Sequence, residues 1–151
     1  MYFRSEKHRE LFKESTKKMD KKDNVHMSVV YLLTADKKLW NRCRIYMVDN
    51  KIPIHRVKVG KCTEEGYTLF CCAKDIALGT KHLSMNDLSD KDLVSTRLWK
   101  IIYTAVEIRR FGEECRVYFL RQRDGRDSSA VCVFRAFDRL CGRLSCFVPR
   151  A

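Results

Sequence analysis

Along residues 95–112, apolar side chains recur at three- and four-residue spacing: Leu98, Ile101, Ile102, Ala105 and Ile108, with Val106 or Phe111 beside them. That spacing lays one apolar stripe along a helix. Ser95 or Thr96 can cap its start. Arg109 and Arg110 fall in the last turn, where cations complement the helix dipole, and Gly112 can take the left-handed conformation that ends a helix. This is the stretch around which the chain is expected to organise.

The segments upstream supply partners for the stripe. Ser5 can cap a helix running to about Met19, with His8, Leu11, Phe12, Ser15 and Met19 along one side and Glu14 four residues before Lys18. Such a pair contributes only about 0.3–0.5 kcal/mol, so this helix depends on tertiary packing. Asp23 or Asn24 opens a second apolar segment, residues 25–33, dense enough to be the most buried helix. Val29, Val30 and Tyr31 also favour extended structure, which leaves a strand open there. Thr34 and Asp36 provide a turn and a cap, after which Leu39, Trp40, Cys43 and Met47 continue at helical spacing. Trp40 reads as the core anchor of that pair, or as a base-stacking platform.

Asp49, Asn50 and Lys51 mark a turn. Pro53 excludes a helix interior, so residues 52–59 read as an extended connector or a short edge strand. Thr63, followed by Glu64 and Glu65, starts a helix to about Leu78 that buries Leu69, Phe70, Ala73, Ile76 and Ala77 and stops at Gly79. It is the natural partner for the helix from Ser95. Between the two, Ser84 with Asp87 and Ser89 with Asp92 have capping-box spacing, with Asp in place of Glu. Leu83, Leu88 and Leu93 can pin this loop to the core.

The texture changes after residue 112. Lys100 is the last lysine, every later cation is arginine, and Cys115, Cys132, Cys141 and Cys146 fall in the final quarter. Two apolar runs, 117–120 and 131–137, flank a polar loop containing Asp124, Gly125 and Asp127, which is a possible hairpin. The expected fold is therefore mainly α: a single compact helical domain of about five helices over residues 1–112 with a short extended connector. A tail over residues 113–151 follows, a β-hairpin or irregular. The shift suggests that the tail arose by fusion or by translation in a shifted frame. A chain ended at Gly112 should then keep its helical signal and melting temperature.

Composition narrows the partners rather than the fold. With 151 residues and 45% hydrophobic content the chain can build one real core. A net charge of +12 biases encounters toward polyanions: nucleic acid, an anionic membrane surface or an acidic protein. No apolar run approaches the roughly 18 residues that span a bilayer, and the N-terminus is charged from Arg4 to Lys22, so a cytoplasmic protein without a membrane partner is expected. Without a secretion signal the eight cysteines read as reduced thiols. Cys43, Cys71 and Cys72 lie in helical patterns, where a thiol behaves as a small apolar group.

Catalytic signatures are missing. His8, His26, His55 and His82 are dispersed, and Cys62, Cys71, Cys72 and His82 lack the paired short spacings of a zinc site, so no metal or cofactor is expected. There is no phosphate-binding glycine loop, dinucleotide fingerprint or Gly-x-Ser-x-Gly. Glu64 with Glu65, and Asp90 with Asp92, sit where caps and first turns want carboxylates. The first reading is a non-enzymatic module that binds nucleic acid or a nucleoprotein complex through Lys17, Lys18, Lys21, Lys22, Arg109 and Arg110, joined by Arg121 and Arg123 of the tail. Arg116 and Arg126, interleaved with Tyr118 and Phe119, could extend that surface. A thiol-dependent enzyme remains as a lesser alternative.

Several stretches carry a resemblance: Phe3-Arg4-Ser5-Glu6-Lys7-His8-Arg9, Tyr31-Leu32-Leu33-Thr34-Ala35-Asp36, Ala73-Lys74-Asp75, Gly79-Thr80-Lys81-His82-Leu83, Asn86-Asp87-Leu88 and Ile108-Arg109-Arg110-Phe111-Gly112. In these the first 112 residues resemble small uncharacterised proteins of phage and conjugative elements from Gram-positive anaerobic bacteria. The resemblance implies an accessory gene of a mobile element and brings no functional residues with it. Such genes often encode inhibitors of host defence, including the anti-CRISPR type. A second reading is therefore an inhibitor of a host defence nuclease that acts by protein contact.

Overall fold

The computed structural model describes residues 1–112, and the expected tail 113–151, with Arg121 and Arg123, lies outside the described residues. The described residues are mainly helical, as their periodicity predicts. Six α-helices form: α1 (Glu6–Thr16), α2 (Asn24–Thr34), α3 (Lys37–Cys43), α4 (Glu64–Leu78), α5 (Met85–Ser89) and α6 (Thr96–Phe111), with 3-10 turns at Arg44–Tyr46 and Ile54–Arg56. None of the helices is long and apolar enough to cross a membrane.

The helix starts follow from local chemistry. Ser5, Asp23, Asp36, Thr63, Ser84 and Ser95 each accept a backbone N–H of the first turn that would otherwise lack a partner. Ser84 and Asp87 close a reciprocal capping box. Ser89 and Asp92 do not: the Ser89 hydroxyl donates to the Met85 carbonyl, and the Asp92 N–H donates to Asp90. Gly79 ends α4 at φ +69°, in the left-handed region.

Helix α1 stops at Thr16, short of Met19. The Ser15 and Thr16 hydroxyls donate back to the Leu11 and Phe12 carbonyls, and the chain tightens into i→i−3 turns at Lys17 and Met19. Helix α3 likewise ends at Cys43 and tightens into the 3-10 turn rather than continuing to Met47. Among the described residues the connector 52–59 pairs with no strand; it buries Ile52, Ile54 and Val57 around its own 3-10 turn.

The centre of the bundle is α2 rather than α6. Every residue of α2 from Met27 to Thr34 is buried, and α1, α3, α4 and α6 all pack against it. Helices α4 and α6, expected to be each other's main partner, touch chiefly through α2. A helix covered on all sides needs no single apolar face, which is why residues 25–33 are apolar throughout. Trp40 is only 5% exposed and belongs to this core, so it is an anchor and not an open stacking platform. In the loop before α6, Leu83 and Leu88 pack on the core, while Val94 takes the buried position expected for Leu93, which is exposed.

Candidate polyanion-binding end of the bundle

Helices α1 and α6 run antiparallel to α2, and the chain after α3 returns to the start of α2. Four close approaches establish this. His8 in the first turn of α1 meets Tyr31 near the end of α2, at 3.0 Å. A Cβ placed on Gly112, just past α6, would lie 2.7 Å from Asn24 Oδ1, at the first residue of α2. The Ile52 N–H donates to His26 Nε2 at 3.2 Å, and Lys51 Nζ pairs with Asp23 at 2.9 Å. The end of α1, the α1–α2 link, the turn after α3 and the end of α6 therefore share one end of the bundle.

That end collects the cations. Lys17, Lys18 and Lys22 come from the end of α1 and its exit, Arg44 from the 3-10 turn, and Arg109 and Arg110 from the last turn of α6; all are exposed. None of these six forms an ion pair among the described residues. Lys21 lies in the same link. Placing α1 and α6 with their C-termini here is favourable in itself, because cations complement the negative ends of the helix dipoles. The opposite end mixes the two: Arg4 pairs with Glu65 at 2.8 Å, Arg9 with Glu6 at 3.4 Å, and the Asp36 carboxylate caps α3, while Lys37 and Lys38 beside it are exposed.

Between α1 and the turn after α3 lies an open groove of about 650 Å³. Lys17 and Lys18 line it from the exit of α1 and Arg44 from the facing wall, with Glu14 the only carboxylate among its described lining residues. Leu11, Trp40 and Met47 give it an apolar lining, and Ile45, 74% exposed, stands at its edge. Asn50 closes one side. It sits in a tight turn, bridged from Val48 to Lys51, in which Asp49 (φ +49°) and Asn50 (φ +60°) both hold positive φ. Nothing in the local sequence marks Arg44 and Lys51 as part of a cationic cluster, since only the reversal after α3 brings them to this end.

The remaining chemistry is structural in character. The Asp75 carboxylate accepts the backbone N–H groups of His82 and Leu83, the Thr80 hydroxyl and, at 2.8 Å, His82 Nδ1, and so latches the loop after α4. Burial alone would raise its pKa, but these donors together hold it below the usual value. Burial pushes the Cys43 and Cys72 thiols up to about 12 and raises Cys71, the opposite of what activates a nucleophile. Among the described residues no group of three His, Cys, Asp or Glu side chains could hold a metal ion.

A family model described as a family of unknown function, DUF6075, matches residues 1–122 and continues past Gly112, where the sequence resemblance ends. No curated protein and no solved structure matches the chain.

Proposed function

Because the chain belongs to DUF6075, a family of unknown function, no activity comes with its membership, and we propose from its own surface that it is a small non-enzymatic module that binds nucleic acid, alone or within a nucleoprotein complex. The phosphate backbone would meet the cationic end built by Lys17, Lys18, Lys22, Arg44, Arg109 and Arg110. One observation carries this reading: the end of α1 and its exit, the turn after α3 and the last turn of α6, distant in sequence, bring to one end six exposed cations that form no ion pair among the described residues. Cations held together displace the counterions condensed on a nucleic acid, and that release drives binding. The setting that fits is the cytoplasm of a bacterial host, with the gene an accessory of a phage or conjugative element.

Fluorescence anisotropy against salt tests the reading. Affinity for a labelled oligonucleotide should fall steeply as salt rises, with a log–log slope of about −0.9 per duplex phosphate contact and about −0.7 per single-strand contact. Replacing Lys17 and Lys18 with Gln should flatten that slope by about 1–2. Replacing Lys37 and Lys38, equally exposed at the start of α3, removes the same charge and should leave it unchanged. Equal loss in both pairs would mean that only net charge matters.

A second reading, inhibition of a host defence nuclease by protein contact, draws on Ile45 and Val48, which are 74% and 61% exposed beside the cations. It predicts that a purified target nuclease loses activity on adding the protein, and that Ile45→Ser abolishes this without changing the salt slope for oligonucleotide.

A further inference from the structure

Resting on the nucleic-acid reading, we infer that the groove between α1 and the turn after α3 takes an unstacked base of a single strand, so that the protein binds single-stranded in preference to duplex nucleic acid. The groove volume of about 650 Å³ falls within the roughly 300–1,000 Å³ typical of sites that enclose a small molecule. Its charge is arranged for a strand that runs across it. Lys17 and Lys18 stand on one wall and Arg44 on the other, so the phosphates on either side of an inserted base meet a cation.

The lining between those cations suits a base rather than more phosphate. Ile45 and Met47 offer an apolar surface, and the Met47 thioether is polarisable enough to pack well against an aromatic ring. Trp40 closes the floor from within the core and leaves its ring unavailable as a stacking face. The planar Arg44 guanidinium supplies the alternative, since arginine stacks on bases as aromatic side chains do. A base over Ile45 would also remove from water one of the most exposed large apolar side chains in the described residues.

Asn50 adds the polar contact. Asp49 and Asn50 take a positive-φ conformation that Asp and Asn tolerate in tight turns. The turn keeps it because Lys51 is tied to Asp23, and the Ile52 N–H to His26. The outcome is an amide at the groove, carrying both a donor and acceptor for a base edge. A duplex cannot use these features, because its bases stay stacked and only its phosphates reach the rim. An acidic protein segment could use the cations and the apolar lining, but not in a way that depends on bases.

The test compares three probes on the full chain at low salt: a short mixed-sequence single strand, an abasic strand of the same length and charge, and the corresponding duplex. The intact strand should bind about tenfold more tightly than the abasic one, the worth of one stacked base. Ile45→Ser, at an exposed position, should close that gap to within about twofold, while replacing Lys17 and Lys18 with Gln should weaken both strands alike. Equal binding of intact and abasic strands would overturn the base-binding groove and leave the phosphate reading standing. If neither strand nor the duplex binds, both readings fall.

Discussion

His8 and Tyr31 join α1 to α2 through a neutral imidazole. The Arg4 backbone N–H donates to His8 Nδ1 at 3.2 Å, which leaves Nε2 as the protonated nitrogen, donating to the Tyr31 carbonyl at 3.0 Å. The ring is 2% exposed, and Phe3 and Phe12 also pack here, with the Tyr31 hydroxyl donating to the Tyr2 carbonyl. A second proton on Nδ1 would lose the Arg4 bond and place a charge in an aromatic pocket.

Acid should therefore destabilise the protein in a defined window. Burial lowers the His8 pKa from 6.5 to about 4, so between those values the unfolded chain binds a proton that the native state refuses. Stability contributed by the neutral ring is full above pH 6.5 and falls as pH drops toward 4, by about 3 kcal/mol in total. His26, whose pKa burial also lowers, adds to the same slope. Urea denaturation across this range should show the loss, and His8→Gln should be less stable at neutral pH but with a shallower acid slope. An unchanged slope in the variant would place the acid sensitivity elsewhere.

Gly112 is needed for two reasons that a double variant can separate. Its φ of +64° with ψ of −150° lies where essentially only glycine is comfortable, and a Cβ would press to 2.7 Å from Asn24 Oδ1. Gly112→Ala should cost about 2–4 kcal/mol, backbone strain plus overlap. Adding Asn24→Ala should recover the overlap and leave the strain of about 1–3 kcal/mol. Full recovery would mean that the backbone is not strained at this position.

The parts of this fold that were legible in the sequence were local. Ser5, Asp23, Thr63, Ser84 and Ser95 announce helix starts because a cap acts within three residues, and Gly79 announces an end for the same reason; Gly112 also ends α6, but at ψ −150° rather than in the left-handed helical conformation its sequence position suggests. The early end of α1 was not legible, since Ser15 and Thr16 could equally have faced solvent instead of bonding back to Leu11 and Phe12. Nor was the central place of α2: a segment apolar all round gives no direction for its neighbours. The same boundary divides the site. Lys17, Lys18, Lys21 and Lys22 are neighbours in sequence, whereas their proximity to Arg44 and to the end of α6 depends on the contacts of His26 with Ile52 and Gly112 with Asn24.

Asp75 should prove to be a loop anchor and not an acid–base residue. Its carboxylate is the common acceptor for Thr80, His82 and Leu83, and hydrogen bonds to a charged group contribute about 1.5–3 kcal/mol each when well formed, less near solvent. Asp75→Ala should therefore lower stability by about 2 kcal/mol and speed hydrogen exchange at the His82 and Leu83 amides, with oligonucleotide binding unchanged. Because the folded carboxyl titrates below its usual value, the latch is intact above pH 4 and weakens as pH falls below it. Loss of binding in this variant would move the functional surface to the α4–α5 loop.

The thiols give the sharpest separation between a binding module and a cysteine enzyme. A nucleophilic cysteine needs a lowered pKa and access, yet Cys43 and Cys72 are buried with their pKa pushed up to about 12, and Cys71 is buried and raised as well. Cys62 is half-buried, the most accessible of the four described. Timed alkylation with iodoacetamide at neutral pH, mapped by peptide mass spectrometry, should label Cys62 first among these four, at no more than the rate of a free thiol. Cys43, Cys71 and Cys72 should react only as the bundle opens, so denaturant that halves stability should accelerate them together while leaving Cys62 nearly unaffected. One of the three reacting faster than a free thiol in the native protein would require a base beside it and would restore the enzymatic alternative.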